Sequence, residues 1–335
     1  MNTDISDEQY MSRCLFLASH GYRSCAPNPM VGAVIVCRGK IIGEGYHIRA
    51  GEPHAEVNAI NSVKDKTLLK DSTIYVSLEP CSHYGRTPPC SELIIRMKIP
   101  RVVVGCQDPF PEVSGRGIKM LRASGIEVKV GVLEKSCLYI NRRFITFYTK
   151  HRPYVTLKWA QSADGFIDRN REMNEPATVI STKRSSLLSH KRRTENQAIL
   201  VGKNTVLMDN PSLTARLWYG RNPTPIVLGD KKTLPNHLTL LQEALESLPL
   251  PLFYNRELLP QLMQSLYKKQ IQTLLVEGGA KVHQSFLLTD YWDEVWIELS
   301  PMLIHEGVVA PTSPTKVKKE YLSFMGTKYL HIIRL

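Results

Sequence analysis

Apolar and polar positions in the first 150 residues recur with two periods, one typical of helices and one typical of strands. Tyr10, Cys14 and Leu17 lie at helical spacing behind Ser6, which can cap a helix over residues 7–20. The same patterns predict strands at 31–37, 40–46, 73–78, 101–106 and 126–132, and helices at 54–63, 90–97, 114–124 and 134–148. Strands that alternate with helices predict an α/β layered domain with a mostly parallel sheet.

A second set of elements begins with an apolar strand at 154–159. The other predicted strands are 198–201, 224–228, 252–254, 273–276, 294–299 and 328–334, and the predicted helices are 183–194, 258–269 and 280–288. This alternation again predicts an α/β domain. We therefore predict one domain over residues 1–149 and a second over residues 150–335.

The composition supports two soluble domains. A chain of 335 residues is long for a single hydrophobic core. No apolar run approaches the roughly 18 residues that a membrane-spanning helix needs. The first eight residues are acidic and polar, unlike a signal or transit peptide, so the cytoplasm is the expected compartment. Seven cysteines, an odd number, argue against disulfides and leave the thiols for metal binding or for cores.

The charge indicates the kind of ligand. The formal net charge is +12, and the basic excess is spread over both halves of the chain. The basic clusters are not interleaved with aromatic residues, as they would be on a platform for single-stranded nucleic acid. We therefore expect a phosphorylated small molecule as the ligand, and neither nucleic acid nor a membrane as a partner.

Four residues of the first domain are the parts of a hydrolytic zinc site. One histidine and two cysteines, His54, Cys81 and Cys90, would leave a fourth tetrahedral position open to a water that zinc activates. Glu56 would not be a ligand. It would carry a proton from the water to a leaving amine, as in the zinc deaminases with an H-x-E…P-C-x-x-C pattern. The alternative is a purely structural zinc site with His83 or another cysteine as the fourth ligand.

Three stretches of this domain carry a more specific pattern. Residues 27–56 run from Pro-Asn-Pro-Met-Val-Gly to Gly-Glu-Pro-His-Ala-Glu, and residues 78–90 read Leu-Glu-Pro-Cys-Ser-His-Tyr-Gly-Arg-Thr-Pro-Pro-Cys. Residues 107–117 contain Gln-Asp-Pro and Gly-Arg-Gly. In order and spacing, including the eight residues between Cys81 and Cys90, they resemble the RibD family of bifunctional riboflavin-biosynthesis deaminase/reductases.

The resemblance implies a cytidine-deaminase-like fold of three α/β/α layers. It implies removal of the 2-amino group of 2,5-diamino-6-(5-phospho-ribosylamino)pyrimidin-4(3H)-one. It assigns zinc binding to three residues, namely His54, Cys81 and Cys90. Glu56 would transfer protons, and the Asn28 amide would hold the pyrimidine ring with its donor and acceptor. The loop would place His83 and Arg86 near the open position, where they grip substrate or stabilise the loop.

Four segments of the second domain carry a recognisable pattern, and three of them place glycines where a strand passes into a turn or a helix. They are 157–165, 198–206, 209–216 and 275–280. Backbone N–H groups and a helix dipole at such junctions suit phosphate groups. Two junctions, at Gly202 and at Gly278-Gly279, predict a ligand with several phosphates. In order and spacing the four segments resemble the reductase half of the same family.

This second resemblance implies a dihydrofolate-reductase-like fold in which NADPH reduces the ribose of the deaminated product to a ribityl chain. The substrate positions that it implies are Lys158, Arg193, Leu213, Arg216 and Glu277. The NADPH positions that it implies are Gln161, Val179, Thr205, Asp209 and Gly279. Arg193 and Arg216 are expected to bind the substrate phosphate, because a guanidinium bonds phosphate oxygens in pairs.

Two positions depart from the family pattern. Val179 stands where the family commonly has a tryptophan that faces the cofactor. Gly229-Asp230 stands where the family often has Asp-Ser or Asp-Arg. A carboxylate near the 2′-phosphate of the cofactor would repel it, so NADPH is still expected but the strictness of its preference over NADH is left open.

Two other functions fit parts of the sequence. A tRNA or DNA base deaminase with an appended binding domain would use the zinc pattern and the positive charge, but it would not need the reductase-like segments. A non-catalytic, zinc-stabilised binding protein would not need Glu56. The family forms dimers or tetramers, so we expect a homodimer or homotetramer. Channelling of the intermediate and the stereochemistry of hydride transfer are left open.

Overall fold

The chain divides into two compact units, Met1–Lys150 and His151–Leu335. This computed structural model describes residues 6–22, 24–84, 88–109, 114–173, 175–235, 237–243, 252–254, 259–315 and 317–334. Of residues 231, 242, 243 and 252–254 it describes the backbone alone. Within these residues, no helix is both long and apolar enough to cross a bilayer.

The first unit is built on a five-stranded sheet. Its strands are β1 (Gly32–Cys37), β2 (Lys40–Tyr46), β3 (Ser72–Leu78), β4 (Arg101–Cys106) and β5 (Glu127–Val130). They lie in the order β2-β1-β3-β4-β5. β1 is antiparallel to β2 and to β3, whereas β3, β4 and β5 are parallel. The sheet is mixed, because β1 runs against the other four strands: the prediction of a mostly parallel sheet holds for strand direction and fails for the two pairings of β1.

Helices cover both faces of this sheet. They are α1 (Asp7–Ser19), α2 (Ala55–Ser62), α3 (Cys90–Arg96), α4 (Arg116–Ala123), α5 (Glu134–Ile140) and α6 (Arg142–Lys150), with a 3₁₀ helix at Lys66–Asp71. Alternate residues of β1 point to opposite faces. Ala33 and Ile35 pack with α2, α3 and α4, and Val34 packs with α1 and α5. One apolar cluster lies on each face of the sheet, so the unit has the three predicted layers: helices, sheet and helices.

The single helix predicted at 134–148 is two helices, α5 and α6. They are separated at Asn141, which is buried. Its side-chain amide donates to the carbonyl of Met30 at 2.9 Å, and its side-chain oxygen accepts from the Met30 N–H at 2.8 Å. Apolar residues keep a helical period through this position. The break comes from a partner more than a hundred residues away, which the local pattern does not reveal.

The second unit is built on an eight-stranded sheet in the order β10-β9-β8-β11-β6-β12-β15-β14. The strands of the unit are β6 (Tyr154–Gln161), β7 (Phe166–Asp168), β8 (Ala198–Gly202), β9 (Thr224–Leu228), β10 (Leu252–Tyr254), β11 (Thr273–Val276), β12 (Glu294–Leu299), β13 (Val308–Val309), β14 (Val317–Phe324) and β15 (Thr327–Arg334). The six neighbouring strands β10, β9, β8, β11, β6 and β12 are parallel. β15 pairs antiparallel with β12, and β14 pairs antiparallel with β15. β7 and β13 form a separate pair.

Helices again lie on both faces. They are α7 (Lys183–Thr194), α8 (Lys203–Asp209), α9 (Thr239–Glu243), α10 (Leu259–Lys268) and α11 (Ala280–Leu287), with a 3₁₀ helix at Lys231–Thr233. One cluster packs β8 and β11 against α10 and α11, and the other packs the opposite side of β8 against α8 and α9. Residue 258, predicted as helical, lies outside the described residues.

Strand β14 was not predicted. It lies at the edge of the sheet and is exposed on most of its length, and it begins with Val317-Lys318-Lys319-Glu320. An edge strand with no buried face has no alternation of apolar and polar residues, so its pattern resembles a loop.

Candidate active sites

Three predicted ligands of the first unit converge at the ends of three elements. His54 is the residue that caps α2, Cys81 follows β3, and Cys90 is the first residue of α3. His54 Nδ1 lies 3.6 Å from Cys81 Sγ and 3.3 Å from Cys90 Sγ. All three donor atoms lie within 4.8 Å of one another, and within the described part of the chain this is the one such group of histidine, cysteine and carboxylate donors.

Cys81 and Cys90 share a hydrogen bond. The Cys90 thiol donates to the Cys81 sulfur, and this lowers the pKa of Cys81. The backbone N–H of Cys90 also donates to it, at 3.3 Å. The same pairing raises the pKa of Cys90. The hydrogen bond to Cys81 raises the pKa of His54.

Glu56 lies in the first turn of α2, and only 3% of its surface is exposed. Burial raises its pKa to about 7, with a further contribution from the charge of Cys81. A carboxyl group with this pKa exchanges protons readily near neutral pH. The first turn of α2 therefore brings the proton-transfer candidate beside the metal-ligand candidates.

Asn28 is tied to this group through a residue that the sequence analysis missed. Its side-chain nitrogen lies 3.0 Å from His47 Nε2. His47 is buried, its ring stands edge-on to that of His54 with centroids 5.4 Å apart, and its Nδ1 lies 3.2 Å from the carbonyl of Pro53. The available signal was a histidine that directly follows the end of strand β2.

His83, the predicted substrate contact and the alternative fourth ligand, is exposed. It does not belong to the group of three donors. A closed four-ligand site built on His83 is therefore absent from the described residues. Arg86 lies outside the described residues.

The second unit contains a cavity of about 1060 Å³ at the carboxyl ends of its parallel strands. This edge of a parallel sheet is where such folds bind their ligands. Most of the sequence-predicted residues line it, namely Lys158, Val179, Thr205, Asp209, Glu277 and Gly279. The segment 167–181 contributes many of the other lining residues.

Three predicted substrate residues form one charged cluster beside this cavity. Glu277 follows β11, and Lys158 lies on the neighbouring strand β6. Arg193 donates to Glu277 from Nε at 3.2 Å and from a terminal nitrogen at 2.6 Å, and to the carbonyl of Thr214 at 2.8 Å. Burial opposes the charge of Glu277, but Arg193 and Lys158 outweigh it and hold its pKa below the usual range. Burial lowers the pKa of Lys158.

The remaining predicted substrate residues lie on the loop that follows α8. Leu213 is buried and has a left-handed backbone, with φ +56°. Arg216 is exposed, and its guanidinium donates to Ser212 Oγ at 3.0 Å. Neither lines the cavity as the described residues define it.

The predicted cofactor residues differ in what they contact. A Cβ added at Gly279 would have only Thr205 Oγ1 within 4 Å, at 3.9 Å, so it would stand in the cavity itself. Val179 is 82% exposed and lines the cavity. Gln161 accepts a hydrogen bond from the indole N–H of Trp159 at 2.9 Å and is not among the lining residues.

Asp209 is held by a residue that the sequence analysis missed. Arg171 forms an ion pair with it and a second one with Asp168 at 2.6 Å. Arg171 also donates to the carbonyls of Glu175 and Met208, at 2.8 and 3.3 Å. This arginine ties the loop over the cavity to the end of α8. A lone arginine in a polar loop gave no signal in the sequence.

The two units match known protein families. A family model described as RibD C-terminal domain matches residues 153–329, and one described as cytidine and deoxycytidylate deaminase zinc-binding region matches residues 4–106. Riboflavin biosynthesis protein RibD of Aquifex aeolicus is 39% identical over 323 residues, which cover 90% of this chain and 89% of that protein. This chain belongs to the RibD family. The RibD protein of Bacillus amyloliquefaciens is 38% identical over 329 residues, covering 91% of this chain and 87% of its own.

Solved RibD structures superpose over nearly the whole chain. A deaminase/reductase from Thermotoga maritima is 36% identical with a TM-score of 0.86, and covers 98% of this chain and 99% of its own. Acinetobacter baumannii RibD is 30% identical with a TM-score of 0.84 and the same coverage. These RibD matches confirm the predicted α/β fold class and the predicted pair of activities, a deaminase and a reductase of riboflavin biosynthesis.

Proposed function

We propose that the first unit removes the 2-amino group of 2,5-diamino-6-(5-phospho-ribosylamino)pyrimidin-4(3H)-one by hydrolysis. The second unit then reduces the ribosyl group of the product, 5-amino-6-(5-phosphoribosylamino)uracil, to a ribityl group with NADPH. The observation that carries the proposal is the convergence of His54, Cys81 and Cys90 beside the buried Glu56. Membership in the RibD family supports the substrate.

The three donors fit a zinc ion. Nitrogen and sulfur ligands at about 2.1 and 2.3 Å from one zinc, at a tetrahedral angle, stand about 3.6 Å apart. The distances from His54 Nδ1 to the two sulfurs are 3.6 and 3.3 Å. His54, Cys81 and Cys90 would hold the zinc, which when bound supplies a hydroxide nucleophile at neutral pH.

Glu56 and Asn28 do the remaining work of the deamination. Glu56 takes a proton from the attacking water and delivers it to the departing amine. The Asn28 amide binds the pyrimidine edge, and His47 fixes its orientation through the contact of 3.0 Å. Substrate placement therefore depends on the loop before β1, and proton transfer depends on the first turn of α2. His83, which is exposed, belongs to the outer part of this substrate site.

The cavity of the second unit suits NADPH, which supplies the hydride when bound. Its volume of about 1060 Å³ matches a large ligand. Thr205, Asp209 and Gly279 line one wall, with the cofactor filling the space that a Cβ at Gly279 would take. Val179 adds an apolar contact from the loop over the cavity, and Gln161 supports the site through Trp159.

The substrate of the reductase lies against the charged cluster. Lys158 and Glu277 face it from adjacent strands, and Arg193 holds Glu277 in place. Arg216 and Leu213 lie on the loop after α8, outside the residues that line the cavity, and we assign the exposed guanidinium of Arg216 to the substrate phosphate.

A lysine, Lys203, offsets the negative charge that Asp230 would place near the 2′-phosphate of the cofactor. Lys203 lines the cavity, and its stem runs along Gly229, where an added Cβ would meet Lys203 Cβ at 2.8 Å. A side chain at position 229 would displace this lysine. Lys203 thus brings a positive charge to the cavity wall beside Gly229-Asp230, which supports NADPH over NADH despite Asp230.

We also propose that the chain works in the cytoplasm as a homodimer or homotetramer. The exposed apolar side chains of the edge strand β14, such as Tyr321 and Phe324, support association between copies.

The substitution Glu56→Gln tests the deaminase assignment. It removes the proton carrier and keeps the three zinc donors, so the protein should retain stoichiometric zinc. Ammonia release from the diaminopyrimidine should fall by about 10²-fold or more. NADPH oxidation with the deaminated product as substrate should stay at the wild-type rate, which provides an internal control for folding. Ammonia release at the wild-type rate would refute the role of Glu56.

The same assays separate the rival functions. A nucleic-acid base deaminase would retain RNA or DNA tightly and would not oxidise NADPH with the deaminated pyrimidine. A non-catalytic zinc-stabilised protein would release no ammonia from either form. The proposal predicts zinc in the wild-type protein, ammonia release and NADPH oxidation by one chain.

A further inference from the structure

A buried carboxylate lies two residues before Cys81 and takes no part in the deamination described above. Glu79 is 5% exposed and follows strand β3 directly. It accepts four backbone N–H groups, which come from the segment 108–118. The donors are Asp108 at 3.2 Å, Gly115 at 2.9 Å, Gly117 at 2.9 Å and Ile118 at 3.3 Å.

These four bonds explain why a charge is tolerated there. A buried carboxylate is costly unless hydrogen bonds or charges compensate for the lost water. Three of the donors, at positions 115, 117 and 118, belong to the start of α4, where N–H groups have no partner within the helix. Three of the four donors belong to the Gln107-Asp108-Pro109 and Gly115-Arg116-Gly117 sequences, for which the deamination chemistry gives no role.

The start of α4 lies directly against the peptide that carries Cys81. A Cβ added at Gly117 would stand 2.0 Å from the carbonyl oxygen of Pro80, so only glycine allows this approach. On the other side, Ser91 at the start of α3 donates to the carbonyl of Cys81 from its backbone N–H at 3.2 Å and from its hydroxyl at 2.9 Å. The Cys81 segment is therefore clamped between α4 and α3.

We propose that Glu79 is a positioning residue for the metal site: its carboxylate binds the backbone at the start of α4 and thereby fixes Pro80-Cys81 in the geometry that places the Cys81 sulfur beside His54 and Cys90. The inference rests on the proposed zinc site. It predicts that Glu79 sets zinc affinity without touching the ion, as outer residues of metal sites do.

The substitution Glu79→Gln tests this. It preserves the size of the side chain, but it replaces one carboxylate oxygen with an NH2 group. That group cannot accept hydrogen bonds from the backbone N–H groups that face it. Zinc affinity, measured by equilibrium competition with a chromogenic chelator, should fall 10- to 100-fold. Ammonia release at subsaturating zinc should fall in proportion and should recover as zinc is raised. NADPH oxidation by the second unit should stay within about twofold of wild type, since kcat there uses none of these residues.

A matched control separates positioning from general stability. Asp7→Asn removes a carboxylate of the same unit that pairs with Arg101, at the opposite end of β4 from the metal site. It should lower the thermal stability of the first unit and leave zinc affinity unchanged. If Glu79→Gln does not fold, Glu79→Asp keeps the charge with one methylene less, and it should show a smaller loss of zinc affinity.

The outcomes are distinct. A folded Glu79 variant with wild-type zinc affinity would overturn the positioning role, even if it melts earlier. Equal loss of zinc affinity in the Asp7→Asn control would overturn it too, because destabilisation alone would then explain the effect. A wild-type chain that binds no zinc would overturn the proposed function and this inference with it.

Discussion

Helix α2, which begins next to His54 and contains Glu56, rests on two glycines of strand β2. A Cβ added at Gly45 would stand 2.4 Å from the backbone nitrogen of Ala59 and 2.7 Å from the carbonyl oxygen of Ala55. Both contacts are with helix backbone, which cannot rotate away as a side chain can. Since favourable contacts lie at about 3.5 Å or more, Gly45→Ala requires helix and strand to separate by about 1 Å.

The size of the effect follows from that displacement. Adding a methyl group to a tightly packed position costs about 1–3 kcal/mol of unfolding free energy, and contacts with backbone favour the upper part of this range. A shift of about 1 Å in a catalytic group can lower a rate by about 10²-fold. We therefore expect Gly45→Ala to lower kcat for ammonia release by about 10²-fold and to leave NADPH oxidation at the wild-type rate.

The assay compares both activities and the urea unfolding of the same preparation. The control is Gly39→Ala, in the turn of the same hairpin. Gly39 has φ +73° and no heavy atom within 4 Å of the added Cβ, so the control costs about 1–2 kcal/mol through backbone strain alone. If Gly45→Ala keeps wild-type deaminase activity, or if the control loses as much, the link from glycine packing to Glu56 placement is refuted.

Two further substitutions test the electrostatics of the units. Asp293→Asn breaks a buried ion pair with Arg152, at 2.6 and 2.8 Å, and should destabilise the second unit by about 3–5 kcal/mol in urea unfolding; an unchanged urea midpoint would contradict this. Burial opposes the charge of Asp7, but hydrogen bonds from Arg101, Lys129 and Tyr75 outweigh it and hold its pKa well below the usual 3.8. This stabilisation is complete above the unfolded pKa near 3.8 and is lost as pH falls through the folded pKa. The stability difference between wild type and Asp7→Asn should therefore be constant above about pH 5 and shrink in acid; a difference that grows in acid would contradict it.

The sequence predicted the site of the first unit well because its chemistry is carried by residue type. A histidine and two cysteines at strand–helix junctions indicate a metal site wherever the chain folds them together, and the structure brings His54, Cys81 and Cys90 within 4.8 Å. Strands with two buried faces, such as β4, were also predicted with the correct bounds, because a short continuous apolar run between turn residues is typical of a strand in the middle of a sheet.

The parts that the sequence did not reveal depend on pairs of residues distant in the chain. The break at Asn141 is made by Met30, the orientation of Asn28 by His47, and the hold on Asp209 by Arg171. In each case the two partners are brought together by the fold and are not neighbours in the sequence. Local periodicity indicates which face of a helix or strand is buried, but it does not indicate which polar group of another element will contact that face.

The two arginines predicted to grip phosphate show why the partner matters. Both are guanidinium groups near one site, and the sequence predicts the same role for them. In the structure Arg193 is committed to Glu277 and to the carbonyl of Thr214, whereas Arg216 is exposed and bonded to a serine hydroxyl. Lys158 and Arg193 together exceed the single charge of Glu277, so the cluster keeps a net positive charge that favours an anionic ligand. We therefore propose that Arg193 contributes mainly by holding Glu277 charged and oriented, and that direct contact with the phosphate falls to Arg216.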